Sequence, residues 1–241
     1  DYIVSNPPFK LDFSDYHSDL KNDTYKSRFF AGVPNIPNKN KAGMEIYLCF
    51  FQHLLYSLKD DGKAAIVVPT GFITAKSGIA YKIRKHLVDG EKSILRGIVS
   101  MPSNIFANTG TNVSVVFIDK SGVDKPVLID ASKLGETIKD NGIQKTKLRA
   151  EEIDKIVETF RNKEGVEDFS VTPSFDEIRE KGYSFSAGQY FDIKINYVDI
   201  TEEEFKARMT SFRQTLTEQF AESHRLEKEI MRQLDSLKFN K

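Results

Sequence analysis

Gly62-Lys63-Ala64-Ala65-Ile66-Val67-Val68-Pro69 is apolar at odd and even positions alike and is closed by a proline, which cannot donate to a ladder. A strand of this kind is buried on both faces, the condition of a parallel sheet sandwiched by helices. Ahead of it, Ile46, Tyr47, Phe50, Phe51, Leu54, Leu55 and Leu58 recur at spacings of three and four, which predicts an amphipathic helix stopped near Gly62. Beyond it a second helix is expected from Ile79 to Leu87, with strands at Ile94 to Val99, Val113 to Ile118 and Val127 to Ile129. Strand and helix alternate, so the fold class is α/β, and the close spacing of the late strands predicts an antiparallel edge.

Working outward, the chain opens with another short apolar run, Asp1-Tyr2-Ile3-Val4-Ser5, stopped by Asn6-Pro7-Pro8. It has no methionine and no polar lead-in, so the sequence is expected to be a piece of a longer protein. From Lys10 to Gly43 the chain is polar and rich in Asn, Lys and Pro without a sustained period, a loop long enough to be functional. Gly135 to Lys147 is polar around an Asn141-Gly142 turn. Ile153, Ile156, Val157 and Phe160 form one face of a short helix, and Ser174 to Glu177 has the spacing of a capping box ahead of another, ended by Gly182.

The last forty residues differ in kind. Thr201-Glu202-Glu203-Glu204 is a capping box with acids in the first turn, and no Gly or Pro follows it. A single helix to about Leu237 would be about 50 Å long at 1.5 Å per residue. Phe205, Met209, Phe212 and Leu216 keep a 4-3-4 seam that Gln219 and Ser223 interrupt before Leu226 and Ile230 resume it. Such a helix either folds back on its own domain or pairs with another helix.

With 241 residues, 39% of them hydrophobic and 29% charged, the chain is long enough for a real core and is not disordered or coiled coil throughout. Lys plus Arg and Asp plus Glu are 35 each, so no global positive field draws it to nucleic acid. Cys49 is a lone cysteine in an apolar helical pattern, read as a buried free thiol. No apolar run approaches the roughly 18 residues of a membrane span, and a cytoplasmic protein without a membrane partner is expected. His17, His53, His86 and His224 share no ligand spacing, so no metal site is expected. Gly71 to Ser77 ends like a phosphate loop but has Ala75 where the second glycine is needed, and neither a serine elbow nor a G-x-G loop occurs. What remains is Asn6-Pro7-Pro8-Phe9, at the carboxyl end of a strand, where α/β sheets bind ligands.

Asn6-Pro7-Pro8-Phe9 resembles the catalytic motif of amino-group DNA methyltransferases that use S-adenosylmethionine. The likeness extends through the Glu45 to Leu58 helix, Gly62 to Pro69, Met101-Pro102-Ser103-Asn104-Ile105-Phe106 with Thr109-Gly110-Thr111, and Leu128 to Ser132. It continues through the Ile153 to Phe160 helix and Gly182-Tyr183-Ser184-Phe185 to Gln189-Tyr190-Phe191. Over roughly residues 1 to 195 the chain is similar to the adenine-methylating modification subunit of type I restriction-modification systems.

The resemblance implies the carboxyl-terminal half of a Rossmann-like S-adenosylmethionine-dependent methyltransferase sheet with antiparallel edge strands, plus a long carboxyl-terminal helix. It divides the chain into a catalytic half (1–125), a family-specific extension (126–200) and a helix for partner docking (201–241). It casts Asn6, Pro7, Pro8 and Phe9 as catalytic. The Asn6 side-chain oxygen and the Pro7 carbonyl would accept from the adenine amino group, and Phe9 would stack on the flipped base. Phe106 would supply a second stacking face, or else is a core phenylalanine. Of the S-adenosylmethionine site only Asn6 falls within the chain, since the family's glycine-rich loop and amino-terminal helical domain are expected upstream; the chain alone should therefore be inactive.

The implied partners are DNA, a specificity subunit met through Phe205, Met209, Phe212, Leu216, Leu226 and Ile230, the restriction subunit and a second modification subunit. Lys21, Lys26, Arg28, Lys39 and Lys41 are candidates for a local DNA-facing patch in a chain of zero net charge. The alternative is a catalytically inactive interaction module that assembles with a specificity subunit through residues 201–241.

Overall fold

The structure, a computed structural model, describes residues 1–106, 111–140, 143–192 and 200–236. Thr109-Gly110, the Asn141-Gly142 turn, Leu237 and the last residues of the resemblance lie outside the described residues. The chain forms two compact units, Asp1–Asp192 and Ile193–Lys241.

In the first unit β1 (Tyr2–Ser5) leads into the long loop, which holds the single turn α1 (His17–Leu20) and a few 3-10 turns, and then into α2 (Tyr47–Ser57). β2 (Lys63–Pro69), α3 (Gly71–Thr74), α4 (Gly78–Asp89), β3 (Leu95–Ser100), β4 (Val113–Asp119) and β5 (Val127–Asp130) follow. Next come β6 (Glu136–Asp140), β7 (Ile143–Lys147), α5 (Ala150–Asn162), β8 (Ser170–Val171) and α6 (Phe175–Glu180). The main sheet has the order β1-β2-β4-β3-β5-β8, and β6-β7 is a separate two-stranded ribbon. β1 runs parallel to β2 and β3 parallel to β5, while β4 is antiparallel to both β2 and β3. The late strands expected to form an antiparallel edge are placed otherwise, β4 lying antiparallel inside the sheet between β2 and β3 and β5 running parallel to β3; the sheet does end on an antiparallel edge, but it is the two-residue β8.

The two parities of β2 explain the layers. Ala64, Ile66 and Val68 point with Val116, Ile118, Ile98 and Leu128 into a core closed by Phe51, Leu54 and Leu55 of α2 and Ile83 and Leu87 of α4. On the opposite face Val99, Val127 and Ile129 lie under α5, where Phe160 meets Phe117 at 4.6 Å between ring centroids. Gly97 permits this second layer, because a Cβ there would stand 2.5 Å from the Val127 carbonyl oxygen and 2.7 Å from the Phe160 ring. That covering stops short of β1, where Tyr2 and Val4 are 81% and 85% exposed.

The loop that reads as structureless is anchored from the core. Gln52 is fully buried on α2; its Oε1 accepts from Ala31 N at 2.8 Å and its Nε2 donates to Gly32 O at 2.9 Å. The Ser174 capping box forms as its spacing predicts, with Glu177 N donating to Ser174 Oγ at 3.2 Å and Ser174 N to the Glu177 carboxylate at 2.7 Å.

The second unit is α7 (Glu202–Ser236), one helix of 35 residues. Thr201 and Glu204 close its capping box through two bonds of 3.2 Å. Phe205, Met209, Phe212, Leu216, Leu226 and Ile230 are all exposed, and Phe220 and Leu234 extend the seam at four-residue spacing.

Candidate active site at the carboxyl ends of the parallel strands

β1, β2, β3 and β5 point the same way, so the segments that follow them emerge at one end of the sheet. Asn6-Pro7-Pro8-Phe9 follows β1, Thr70 to Ser77 follows β2, Met101 to Phe106 follows β3, and Ala131 to Gly135 follows β5. The amino end of β4 ties two of them together, with Thr70 N donating to Asn112 O at 2.9 Å and Met101 N to Val113 O at 3.0 Å.

Within the motif, Pro7 is buried, whereas Asn6 and Pro8 are exposed. Two adjacent prolines hold this turn at fixed φ, so the Asn6 amide is presented by a stiff backbone. Among the described residues that amide makes no side-chain hydrogen bond. Phe9 is half-buried and meets Tyr47 edge to face at 6.3 Å; Tyr47 meets Phe72 in the same way at 6.3 Å, and Phe72 stacks on Phe51 at 5.0 Å. Four rings thus run from the motif into the core, bracing Phe9 from behind. Burial, with the Glu45 carboxylate nearby, pushes the Tyr47 hydroxyl well above the usual phenol range, so it stays protonated.

Beside the motif lies an open cavity of about 490 Å³, lined by Lys10, Asn35, Glu45, Tyr47, Ser77 and Gly78 among others. One wall follows β2 and is held by Arg84. This arginine is fully buried on α4 and donates to the carbonyl oxygens of Ile73 and Ala75 while its plane faces the Phe185 ring at 5.6 Å. Burial pulls its pKa down to about 10, so it remains charged at neutral pH.

Phe106 reaches the same end of the sheet and is half-buried. The strand before it lies three positions from β1, about 14 Å at the usual strand spacing. The Arg28 guanidinium lies 4.9 Å over the ring of Tyr56, near the end of α2 remote from Tyr47 and hence from Phe9.

Residues 1–197 match the family described as N-6 DNA methylase. The chain belongs to the N-6 DNA methylase family. It is 31% identical over 188 residues to the type I restriction enzyme MpnII methylase subunit of Mycoplasma pneumoniae, covering 78% of this chain and 32% of that protein. It is 27% identical over 250 residues to the type I restriction enzyme HindI methylase subunit of Haemophilus influenzae, covering 98% and 51%. A solved type I restriction-modification methyltransferase subunit from Streptococcus thermophilus superposes with a TM-score of 0.63 at 28% identity, over 80% of this chain and 38% of that one. The chain therefore spans a third to a half of the length of these relatives.

N-6 DNA methylases as a family imply S-adenosylmethionine as methyl donor, and the residues present fit one wall of such a site. Asn6 offers an unpaired amide at the carboxyl end of β1, which is the edge of the described sheet. Among the described residues no cluster of three or more His, Cys, Asp and Glu is placed to hold a metal ion, and no helix is long and apolar enough to cross a membrane. Cys49 is buried, and burial raises its thiol to about 12, so it carries no thiolate for chemistry.

In this member of the family three features of the site escape a reading of the sequence. Tyr47 reads as one more apolar position of α2, and Arg84 reads as a solvated helix charge. The β6-β7 ribbon reads as a polar stretch, although Asn141-Gly142 is the dipeptide that two-residue hairpin turns favour.

Proposed function

We propose that this chain is the carboxyl-terminal part of a type I modification subunit that transfers a methyl group from S-adenosylmethionine to the exocyclic amino group of adenine in DNA. The observation that carries this is the stiff, unpaired Asn6 amide beside a Phe9 ring braced by Tyr47, at the end of the sheet where the parallel strands deliver their loops. An adenine amino group is conjugated with its ring and is a poor nucleophile. Two fixed acceptors, the Asn6 side-chain oxygen and the Pro7 carbonyl, hold it pyramidal with the lone pair aimed at the donor methyl group. A bound sulfonium donor would give up its methyl group as the N–C bond forms and the methyl–sulfur bond breaks, and the amino nitrogen would lose a proton to solvent. Phe9 stacks on the base after it leaves the duplex, and Phe106 closes over it from the far side. S-adenosylmethionine supplies the electrophilic methyl group; orientation and preorganised dipoles supply the rate.

In this proposal residues 1–125 provide the catalytic half, 126–200 a family-specific extension and 201–241 the docking helix. α7 joins a specificity subunit through Phe205, Met209, Phe212, Leu216, Leu226 and Ile230, its seam being exposed along its whole length. The assembly works in the cytoplasm with a restriction subunit and a second modification subunit. The chain by itself is inactive, because it covers only part of the length of its relatives.

The test uses the full-length parent assembled with its specificity subunit. Asn6→Ala should lower incorporation of labelled methyl groups into DNA by about 10²- to 10³-fold and leave assembly intact, whereas deleting 202–241 should weaken assembly first. Normal methylation by Asn6→Ala would overturn the catalytic assignment and leave the chain as an interaction module. Methyl transfer by the isolated 241 residues would overturn the claim of inactivity.

A further inference from the structure

The β6-β7 ribbon leaves the main sheet at the same end as Asn6. Its strands pair with each other and, among the described residues, with no other strand. A two-stranded ribbon has little stability of its own, and this one is fastened at its base. Gly135 enters at φ +86°, where a Cβ would stand 2.6 Å from Thr146 Cγ2. The Glu152 carboxylate accepts from Gly135 N at 2.9 Å and from Arg149 N at 2.7 Å, closing the two legs together. Thr146 N donates to Asn104 O at 3.0 Å, and Asn104 has φ 55° in the segment that carries Phe106. A backbone hydrogen bond therefore ties the ribbon to the segment that carries Phe106.

The ribbon is also charged out of proportion to the chain. Between residues 133 and 149 stand Lys133, Lys139, Lys145, Lys147 and Arg149 against Glu136 and Asp140, five to two, in a protein of zero net charge. Glu136 is paired with Arg149 at 3.5 Å, while Lys139, Lys145 and Lys147 form no ion pair among the described residues. Lys139 and Lys147 are exposed and Lys145 is half-buried. In a core such groups would be costly; on a two-stranded ribbon fastened to the Phe106 segment, with Lys145 and Lys147 on one face and Lys139 on the other, they match a polyanion.

We propose that the β6-β7 ribbon is a DNA-backbone clamp, with Lys139, Lys145 and Lys147 contacting phosphates of the duplex next to the extruded base. This rests on the DNA methylation proposed above. The ribbon contributes position and affinity rather than sequence choice, because phosphate contacts carry no base information.

The experiment takes the full-length assembled enzyme and the triple variant Lys139→Gln/Lys145→Gln/Lys147→Gln, and follows duplex binding across a range of salt concentration together with methylation kinetics. Each lost phosphate contact should make the slope of log K against log salt shallower by about 0.9, so by about 2.7 for three, and should raise KM for DNA with kcat retained. The corresponding Lys→Arg triple should restore both. Lys92→Gln, at the opposite end of the sheet, should change neither. A triple variant with the slope and KM of the parent overturns the clamp, as does an equal loss in Lys92→Gln. The two proposals fail separately. Asn6→Ala that still methylates removes the catalytic assignment while the salt slope still reads the ribbon, and a parent assembly that does not bind duplex DNA removes both.

Discussion

The two ends of the main sheet are built from the same strands and treat their polar groups in opposite ways. At the end where β2 begins and β4 finishes, Lys63 pairs with Asp119, whose carboxylate also accepts from Ser121 N at 3.1 Å. Lys120 Nζ donates to Leu58 O at 2.7 Å, Lys120 N to Gly62 O at 3.0 Å and Val123 N to Ser93 O at 2.9 Å, so the turns there satisfy one another. At the other end the Asn6 amide is left open, a cavity of about 490 Å³ separates the long loop from the segment after β2, and Asn104 takes a left-handed conformation. The first end is bonded turn to turn, whereas the second is more open, with its larger cavity and the Asn6 amide. The difference has a structural cause: the first end is joined by short turns around β4, whereas the open end is assembled from segments that follow four parallel strands.

The sharpest way to break that contrast is at Asn6. Removing one preorganised polar group from a reacting centre lowers turnover by about 10²- to 10³-fold, so Asn6→Ala should cost that much methyl transfer in the assembled enzyme with the melting temperature unchanged. A lower melting temperature would mean that the open end also holds the fold together. Arg84→Met tests the wall behind the cavity. It removes the donor to the half-buried Ala75 O and one of two donors to Ile73 O, which keeps Phe185 N, and should lower unfolding free energy by about 1–3 kcal/mol in urea titrations. Gly97→Ala probes the layer opposite, where the new methyl meets the Val127 carbonyl oxygen at 2.5 Å as well as the Phe160 ring at 2.7 Å. About 1–3 kcal/mol of destabilisation is expected, with the activity of the folded fraction retained.

The smallest effect belongs to the ion pairs. Burial alone would raise the Asp119 carboxyl, but bonds from Lys63 and Ser121 outweigh it and hold the pKa below the ordinary aspartate value. Burial likewise opposes Asp89, and Lys85, Tyr183 and Arg179 bring it to about 2. A depressed folded pKa stabilises above the unfolded value, near 4, and that contribution is lost as pH falls through the folded value. Unfolding free energy should therefore drop between about pH 4 and pH 2, and Asp119→Asn should flatten part of that slope. Lys63→Gln, whose side chain is half exposed, should cost less than about 1 kcal/mol.

Much of the fold follows from local pattern. The period of α2 and the capping boxes at Ser174 and Thr201 are each decided within a few residues, so composition and spacing reveal them; β2 forms as expected but is buried on one face only, Ala65 and Val67 being half-buried on the other. The Asn6 to Phe9 motif is legible for the same reason, because two prolines set the backbone without help from afar. Arg84 was not legible: a basic residue on a helix is ordinarily solvated, and only its approach to Ile73 O, Ala75 O and Phe185 makes it a buried strut. Nor was the basic ribbon, since Lys139, Lys145 and Lys147 gain meaning only when β7 turns back along β6 and Thr146 bonds to Asn104.

By itself the sequence determined an α/β chain with a strand-ending Asn-Pro-Pro-Phe turn and a long terminal helix, because hydrophobic period, capping and proline geometry act over one or two turns of chain. Tertiary structure alone decided that β4 inserts antiparallel between β2 and β3, and that the loops after β1, β2, β3 and β5 meet at one end beside a lysine-rich ribbon. Strand order is set by pairing residues far apart in the chain, here Lys63 with Asp119 and Gly97 with Val127, and the free energy of such pairings depends on which surfaces they bury together rather than on any local run of residues.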